Sequence, residues 1–313
     1  MGSRISVLII NWNGRKWLER CLRSILDQHI SEDFEVVLVD NGSTDSSVNY
    51  VKRSFPKTKV VELDTNYGYA EGNNRGLKSA RGDYLVFVNT DTEAKDGWLK
   101  NLVTAADEHQ EYEILCSIQL PSQDRNRIRT LNAFGYPTIN ECQSKFAVTD
   151  SLFASGACFL IRREWLHRIG YLFDPNYFCF GEDLELSLRT ILLGGRIGYV
   201  CDSRIYHHAG GSGFPNAKVS YFSTRNFLLT YYKLFELKNF ARIFWVHIAY
   251  IMMTRHKQML KGLLGFFSSF YGYGNYRKAF AKNKKRSDKY ILGRFLFVER
   301  MEKMILKRAI YGC

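Results

Sequence analysis

Tyr84-Leu85-Val86-Phe87-Val88-Asn89-Thr90-Asp91-Thr92 sets five consecutive apolar residues against a polar tetrapeptide. A run of β-branched and aromatic residues with no polar alternation reads as a strand buried on both faces. It stops abruptly, and a parallel strand ending in a carboxylate delivers that carboxylate to the carboxyl edge of the sheet, where open α/β sheets bind ligands. Asp91 is therefore a candidate ligand for a hard cation. Taken alone, Asn-Thr-Asp is as well explained as a turn.

Working outward, residues 5 to 120 alternate the two periodicities. Ile5 to Ile10, Val36 to Val39, Val60 to Leu63 and Ile114 to Ile118 read as strands. Between them lie helices carrying Trp17/Leu18, Cys21/Leu22 and Ile25/Leu26 at helical spacing, then helices near 46–54, 70–80 and 97–108. The β-α-β-α alternation predicts an α/β fold with a doubly wound, mainly parallel, Rossmann-like sheet. Residues 121–150 lose periodicity and read as a long functional excursion. A strand at 157–161, a helix from Glu182 to Leu193 and a strand from Ile197 follow, and the chain turns helical near 216.

Charge divides the chain at the same place. Of a net +13, residues 216–313 hold 20 Lys and Arg against 4 Asp and Glu, so residues 1–215 are slightly acidic. The basic part is also aromatic, as in Phe266-Phe267 and Phe270-Tyr271-Gly272-Tyr273. Basic residues mixed with interfacial aromatics suit an anionic membrane surface at least as well as nucleic acid. No segment reaches the roughly 18 to 20 apolar residues that span a bilayer. Two regions are expected: a catalytic domain over 1–215, and a helical, basic, membrane-associating region over 216–313. The seven cysteines are scattered and odd in number, without a C-x-x-C spacing, which predicts thiols in a reducing compartment with neither disulfides nor a zinc site.

Four further stretches converge on the edge that Asp91 marks. In Val39-Asp40-Asn41-Gly42-Ser43-Thr44-Asp45 a strand again ends in a carboxylate, and Asp40 can accept from a base imide or a ribose hydroxyl. Uracil, thymine and guanine offer such an N–H; cytosine does not. Asn66 to Gly76 is glycine-rich, with the amides of Asn66 and Asn74 near a helix N-terminus suited to anions. It lacks both G-x-G-x-x-G and a Walker lysine, which disfavours a dinucleotide fold or a phosphate-loop ATPase. Glu182-Asp183 opens a helix after Phe178-Cys179-Phe180; the helix dipole accounts for one acid, and two adjacent acids suggest chemistry. His207-His208 follows the last strand, and in extended backbone only one of the two can point with Asp91.

These stretches, with Val7 to Gly14, Ser155-Gly156-Ala157, Phe173-Asp174 and Arg225-Asn226, run in the order found in family 2 glycosyltransferases. The chain resembles that family, with its GT-A fold, and within it the rhamnosyltransferase-like subgroup that extends lipid-linked glycans. The resemblance implies transfer of a sugar from a nucleotide-diphosphate donor (UDP, dTDP or GDP type) to an acceptor hydroxyl, with inversion and with Mg²⁺ or Mn²⁺. By resemblance Asn11, Asp40, Asn66, Asn74 and Gly156 would bind the donor. Asp91 would be the retained carboxylate of the D-x-D metal motif, whose first position here is Asn89. His207, with His208 as runner-up, would be a metal ligand, Asp183 the catalytic base and Glu182 its companion. The Q-x-x-R-W motif and membrane spans of the polymer-making synthases are absent from the sequence. The expected site of action is peripheral, at the cytoplasmic face of a membrane, on a glycan or lipid-linked acceptor. Rival readings are a non-catalytic nucleotide-sugar-binding scaffold, a polyprenyl-phosphate sugar synthase and, disfavoured by the filled sheet edge, a nucleic-acid binder.

Overall fold

In the computed structural model, which describes residues 4–120, 127–131, 137–142, 148–208 and 214–293, Tyr84 to Val88 are at most 7% exposed. Their side chains alternate between two hydrophobic layers. Leu85 and Phe87 join Leu8, Phe159 and Ile161 in one; Tyr84, Val86 and Val88 join Val7, Ile9 and Leu160 in the other. Neither face meets water, so neither needs polar residues, and the strand's sequence is apolar throughout.

The first half runs β1 (Ile5–Asn11), α1 (Arg15–Leu26), β2 (Phe34–Asn41), α2 (Ser47–Ser54), β3 (Lys59–Leu63), α3 (Gly68–Leu77) and β4 (Tyr84–Asn89). Then come β5 (Thr92–Ala94), α4 (Trp98–Glu108), β6 (Ile114–Leu120), β7 (Arg127–Leu131), β8 (Pro137–Glu141), β9 (Val148–Ser151), β10 (Cys158–Arg162), α5 (Arg163–Ile169), α6 (Glu182–Leu192) and β11 (Ile197–His207). The strand order is β3-β2-β1-β4-β10-β6-β11-β5, with β9 also on β11. β3, β2, β1 and β4 are parallel; β10, β5 and β9 run antiparallel to their neighbours. The order reverses between β1 and β4, which opens a crevice at their carboxyl ends.

Local chemistry shapes that crevice. β11 registers with β6 up to Val200, breaks register, and resumes at Arg204. The irregularity re-aims its last residues onto β5, with His207 opposite Thr92, as bulges beside functional sites commonly do. The expected excursion holds the antiparallel pair β7-β8, and β9 adds to the sheet edge.

One sequence expectation is overturned. Cys142 and Cys201 form a disulfide, with Cα atoms 6.0 Å apart, whereas Cys21, Cys116, Cys158 and Cys179 are free and buried; Cys313 lies outside the described residues. The two half-cystines are 59 residues apart in sequence. Only the β9-β11 pairing, which sets Val148 opposite Val200, brings that part of the excursion beside β11, and no spacing rule reveals it.

Five helices complete the described chain: α7 (Asn216–Leu234), α8 (Leu237–Thr254), α9 (Lys257–Ser269), α10 (Gly274–Asn283) and α11 (Asp288–Leu292). α7 shares a hydrophobic cluster with the sheet through Phe227, Leu228 and Tyr231. It also sends Lys233 into a buried charge cluster, where Nζ lies 2.6 Å from Asp174 and 3.1 Å from Glu185. Arg189 completes the cluster, pairing with Glu185 at 3.1 Å and donating to the carbonyls of Ile169, Tyr171 and Leu172. Burial alone would raise the Glu185 carboxyl, but the Arg189 and Lys233 charges outweigh it and hold it below the usual range. Glu185 and Arg189, one turn apart on α6, thus pair in the interior, and Lys233 ties them to α7.

Candidate functional site

A cleft of about 410 Å³ lies at the β1/β4 crevice, bounded by the sheet edge, the start of α3 and the segment leading into α6. Asp91 and His207 face each other across it, Oδ1 to Nε2 at 3.3 Å. The bulged end of β11 makes this pair, and the His208 N–H donates to the Asp91 carbonyl at 2.9 Å to fix the crossing. His208 does not line the cleft; it stacks on Trp17, which does, with centroids 4.9 Å apart, and its Nε2 lies 3.9 Å from Glu93. Of the two histidines, His207 is the one that meets Asp91.

The donor set can be tested as a cation site on its own chemistry. Asn89 Oδ1 and His207 Nδ1 are buried without a hydrogen-bond partner, and Asn89 lines the cleft with Asp91 and His207. An amide oxygen, a carboxylate and an imidazole suit Mg²⁺ or Mn²⁺. Among the described residues no group of three His, Cys, Asp or Glu could hold a metal alone. The set fits a cation that takes its remaining ligands from substrate phosphates, as Mg²⁺ sites with one or two carboxylates do.

Glu182 and Asp183 enter the cleft from the first turn of α6, after Gly181 at φ 97°. Asp183 accepts from the Leu184 N–H at 2.8 Å on Oδ1 and from the Gly156 N–H at 3.3 Å on Oδ2. Gly156 in turn accepts from the Tyr69 hydroxyl at 2.6 Å. Glu182 has no such support: its Oε2 is buried without a partner, and burial followed by the Asp183 charge pushes its carboxyl well above the usual range. One of the adjacent acids is thus supplied with donors that favour a carboxylate, and the other, buried without them, is shifted toward its neutral form. The polar residues further along α6 do not line the cleft. Ser187 bonds the Asp183 carbonyl and the Ala154 N–H, and Thr190 takes the Trp165 indole N–H.

The expected donor-binding residues divide. Asn66 lines the cleft, its Oδ1 accepting from Asn41 Nδ2 and the Gly68 N–H. Gly42, at φ 70°, packs against the backbone of Thr65 so closely that a side chain would overlap it, which holds β2 and the Asn66 turn together. Asn11 and Asp40 lie beneath the lining, 1% and 3% exposed. Asn11 Nδ2 donates to Asp40 Oδ1 at 2.8 Å, and the Ser43 N–H to Oδ2 at 3.0 Å. Asn74 is elsewhere: its amide clamps the backbone of Phe173 in both directions, at 2.9 and 3.2 Å, so it ties α3 to the loop before α6. The expectation that Asn74 lines the nucleotide site is corrected accordingly. Sequence reading missed Asn41, next to Asp40 on β2, whose amide reaches Asn66 and the Gly68 carbonyl. It also missed Tyr69 and the aromatic wall of Phe178, Phe180 and Phe214. Asn41 carried a signal, since alternation after the inward Asp40 directs it toward α3. The part of the expected motif at Gly210-Gly211-Ser212 lies outside the described residues.

Comparison with known proteins identifies the family and the fold. The family model "Glycosyl transferase family 2" matches residues 6–170. The chain is 28% identical over 224 residues to the O-antigen biosynthesis protein RfbC of Myxococcus xanthus, covering 67% of this chain and 18% of that one. It is 27% identical over 216 residues to the poly(ribitol-phosphate) beta-N-acetylglucosaminyltransferase TarS of Staphylococcus aureus strain Mu50, covering 65% and 35%. In fold it is similar to the mannosyltransferase PcManGT of Pyrobaculum calidifontis solved with GDP-Man and Mn²⁺, with TM-score 0.58, 18% identity, and 90% and 84% of the two chains covered. The chain therefore spans well under half the length of either curated relative.

Proposed function

Because the chain belongs to glycosyl transferase family 2, we propose that it transfers a sugar from a nucleotide-diphosphate donor to a hydroxyl of a glycan acceptor carried on a lipid. The observation that carries this reading is the pairing of an Asp91-His207 edge with an Asp183 carboxylate in one cleft.

Asn41 and Asn66 would meet the nucleotide on the rim, over the Asn11-Asp40 pair, which holds the ends of β1 and β2 in register. Asp40 fits a donor whose base offers a ring N–H, of UDP, dTDP or GDP type, once the base replaces one of its present donors. Asp91, His207 and the Asn89 amide would hold Mg²⁺ or Mn²⁺, which when bound neutralises charge on the departing diphosphate. Asp183 takes the acceptor proton as the hydroxyl oxygen attacks the anomeric carbon; the new C–O bond forms while the bond to the diphosphate breaks, the electron pair leaving with the diphosphate. Attack from the face opposite the leaving group gives inversion. Glu182, buried beside Asp183 and without its backbone donors, is the less suited of the two to hold a carboxylate at the acceptor hydroxyl.

The membrane reading is supported by where large apolar side chains meet water. Trp245, Tyr250, Met252, Met253, Leu260, Leu264, Phe267 and Tyr271 are all exposed, and all lie on α8, α9 or the turn after α9. Arg242, Arg255, Lys257 and Lys261 lie on or between the same two helices. Among the described residues no helix is long and apolar enough to cross a membrane. An apolar face with basic neighbours suits in-plane docking to an anionic bilayer. In this reading α7, α10 and α11 belong to the catalytic body, to which Phe280, Ile291 and Arg286 tie the last two, and the exposed faces of α8 and α9 meet the membrane. The cytoplasmic face is where nucleotide sugars and lipid-linked acceptors meet. The Cys142-Cys201 disulfide runs counter to a reducing compartment, and thiol counting on protein taken directly from cells tests it.

The test is a thermal-shift panel of UDP-, dTDP- and GDP-sugars with and without Mn²⁺. A ligand at about 100 times its Kd adds roughly 2.7 kcal/mol, and no Mn²⁺-dependent shift with any donor overturns the reading. Flotation with anionic liposomes tests the membrane part separately. Trp245→Ser with Leu264→Ser should lower binding, and unchanged flotation removes α8 and α9 as the docking face.

A further inference from the structure

Between residues 177 and 181 the backbone departs from ordinary geometry at two bulky residues. Phe178, at φ 59° and ψ −67°, centres a three-residue turn closed by the Cys179 N–H on the Tyr177 carbonyl at 2.7 Å. This is a γ-turn of the rare, strained hand. Phe180 follows at φ 63°, again in the region that large L side chains avoid. Such conformations persist only where their surroundings impose them, and they gather at ligand clamps.

The surroundings here are specific. Asn226 on α7 donates its amide to the carbonyls of Tyr177, Cys179 and Phe180 at 2.7–3.0 Å. The Ala70 N–H holds the Phe178 carbonyl at 3.1 Å. Gly68, at φ 81°, leaves room for Phe178, where any side chain would overlap its ring and carbonyl. The result is an aromatic wall inside the cleft. Phe178 stacks on Phe222 with centroids 5.4 Å apart, Phe180 meets Phe214 edge-on at 5.5 Å, and Phe178, Phe180 and Phe214 all line the cleft beside Glu182 and Asp183.

We propose that this wall is the acceptor-sugar subsite, and that Phe180 and Phe214 take the C–H face of a pyranose ring whose free hydroxyl is directed at Asp183. The proposal rests on the transferase reading above. The polar groups for the donor come from the sheet edge and α3. The surface next to Asp183 is instead aromatic, with carboxyl groups only at its margin. A pyranose has the matching pattern, apolar C–H bonds on its face and hydroxyls around its rim, and aromatic surface with a few placed polar groups is the usual way to orient such a ligand. The ring faces read the apolar side of the sugar, and the carboxyl groups at the margin of the wall are left to select its hydroxyl.

Saturation-transfer NMR on the full chain tests this, using methyl glycosides of glucose, N-acetylglucosamine, galactose, mannose and rhamnose as probes and n-propanol as the control without a ring. At least one glycoside should receive saturation at the C–H protons of one ring face. Phe180→Leu and Phe214→Leu keep apolar bulk but lose the flat face, and each should weaken that glycoside by about five- to tenfold. Phe180→Tyr keeps the ring and should bind as the parent does. Titration of the same samples with UDP, dTDP and GDP in Mn²⁺ reads the donor site independently. Intact nucleotide binding with no glycoside bound, with equal binding by the leucine variants, or with loss in Phe180→Tyr overturns the acceptor subsite alone. Absence of nucleotide binding in the parent protein overturns the transferase reading itself.

Discussion

Asp183→Asn separates the chemistry of the cleft from its architecture. The carboxylate takes one backbone N–H on each oxygen, from Leu184 at 2.8 Å and Gly156 at 3.3 Å. Asparagine keeps the shape and one acceptor, but its NH₂ must face the other N–H. Turned toward Gly156 it gives up the longer and weaker of the two bonds, so the stability cost should stay near the low end of about 1–3 kcal/mol for an unmatched polar group. The amide cannot take a proton, and loss of a positioned general base typically costs about 10² to 10⁴ in rate, or about 3 to 5 kcal/mol of barrier. Removing the Asp183 charge also withdraws one of the causes that raise Glu182. The groups proposed to meet the donor, at Asn41, Asn66 and Asp91, are untouched. The assay is sugar transfer to a lipid-linked acceptor together with donor titration and a urea melt. Asp183→Asn should lose transfer at unchanged donor affinity, and Glu182→Gln should retain most of it, since Asp183 alone of the two holds the Leu184 and Gly156 N–H groups that favour a carboxylate. Near-normal transfer by Asp183→Asn with collapse in Glu182→Gln moves the base to Glu182; near-normal transfer by both removes the acid pair from the mechanism.

Asp91→Ala and His207→Ala should each abolish the Mn²⁺-dependent part of donor stabilisation in a thermal-shift assay, while His208→Ala, at a residue that does not line the cleft, keeps it; unchanged Mn²⁺ dependence in Asp91→Ala returns that residue to a turn role. Lys233→Met leaves Asp174 unpaired in the interior and Glu185 with Arg189 alone, and breaking a buried pair of this kind costs about 3–5 kcal/mol. Adding Asp174→Asn should restore part of it in urea denaturation, and a single-variant loss below about 1 kcal/mol shows that the cluster does not tie α7 to α6. Burial lowers the His247 imidazole to about 4, so it is neutral in the fold and protonates first in the unfolded chain. Its contribution is present above pH 6.5 and lost as pH falls through about 4, at most about 3 kcal/mol; His247→Phe should flatten that acid limb, and superimposable pH-stability curves refute the assignment.

Much of the frame was legible because it depends on local pattern. Apolar runs ending in Asp40 and Asp91, with helical spacing between them, are enough to imply a parallel sheet with a ligand edge, since periodicity follows directly from which faces are buried. The same local logic placed Glu182 and Asp183 in a helix's first turn and drew attention to residues 216–313 through charge and aromatic content. It could not tell the two acids apart, because their difference lies in the Gly156 N–H, contributed by a segment 27 residues away.

What the tertiary structure alone decided concerns contacts between distant segments. The resemblance preferred His207 to His208, but the contact of His207 with Asp91 is made by the register break in β11, which no pattern within Tyr206-His207-His208 announces. Asn74 was read as a cleft amide because its neighbours are; its real partner, Phe173, lies 99 residues on. The Cys142-Cys201 bond and the inward turn of Lys233 have the same origin, since each joins residues whose proximity is created by strand pairing or helix packing. The strained Phe178-Phe180 turn is the clearest case. Its sequence looks like ordinary apolar chain, and only the Asn226 amide and the vacancy at Gly68 hold it in a conformation that phenylalanine would otherwise refuse. Sequence alone determined which side chains must be buried and where the sheet presents its edge, because those follow from period and polarity. Which of them meet, and so which do chemistry, was decided by packing across the chain.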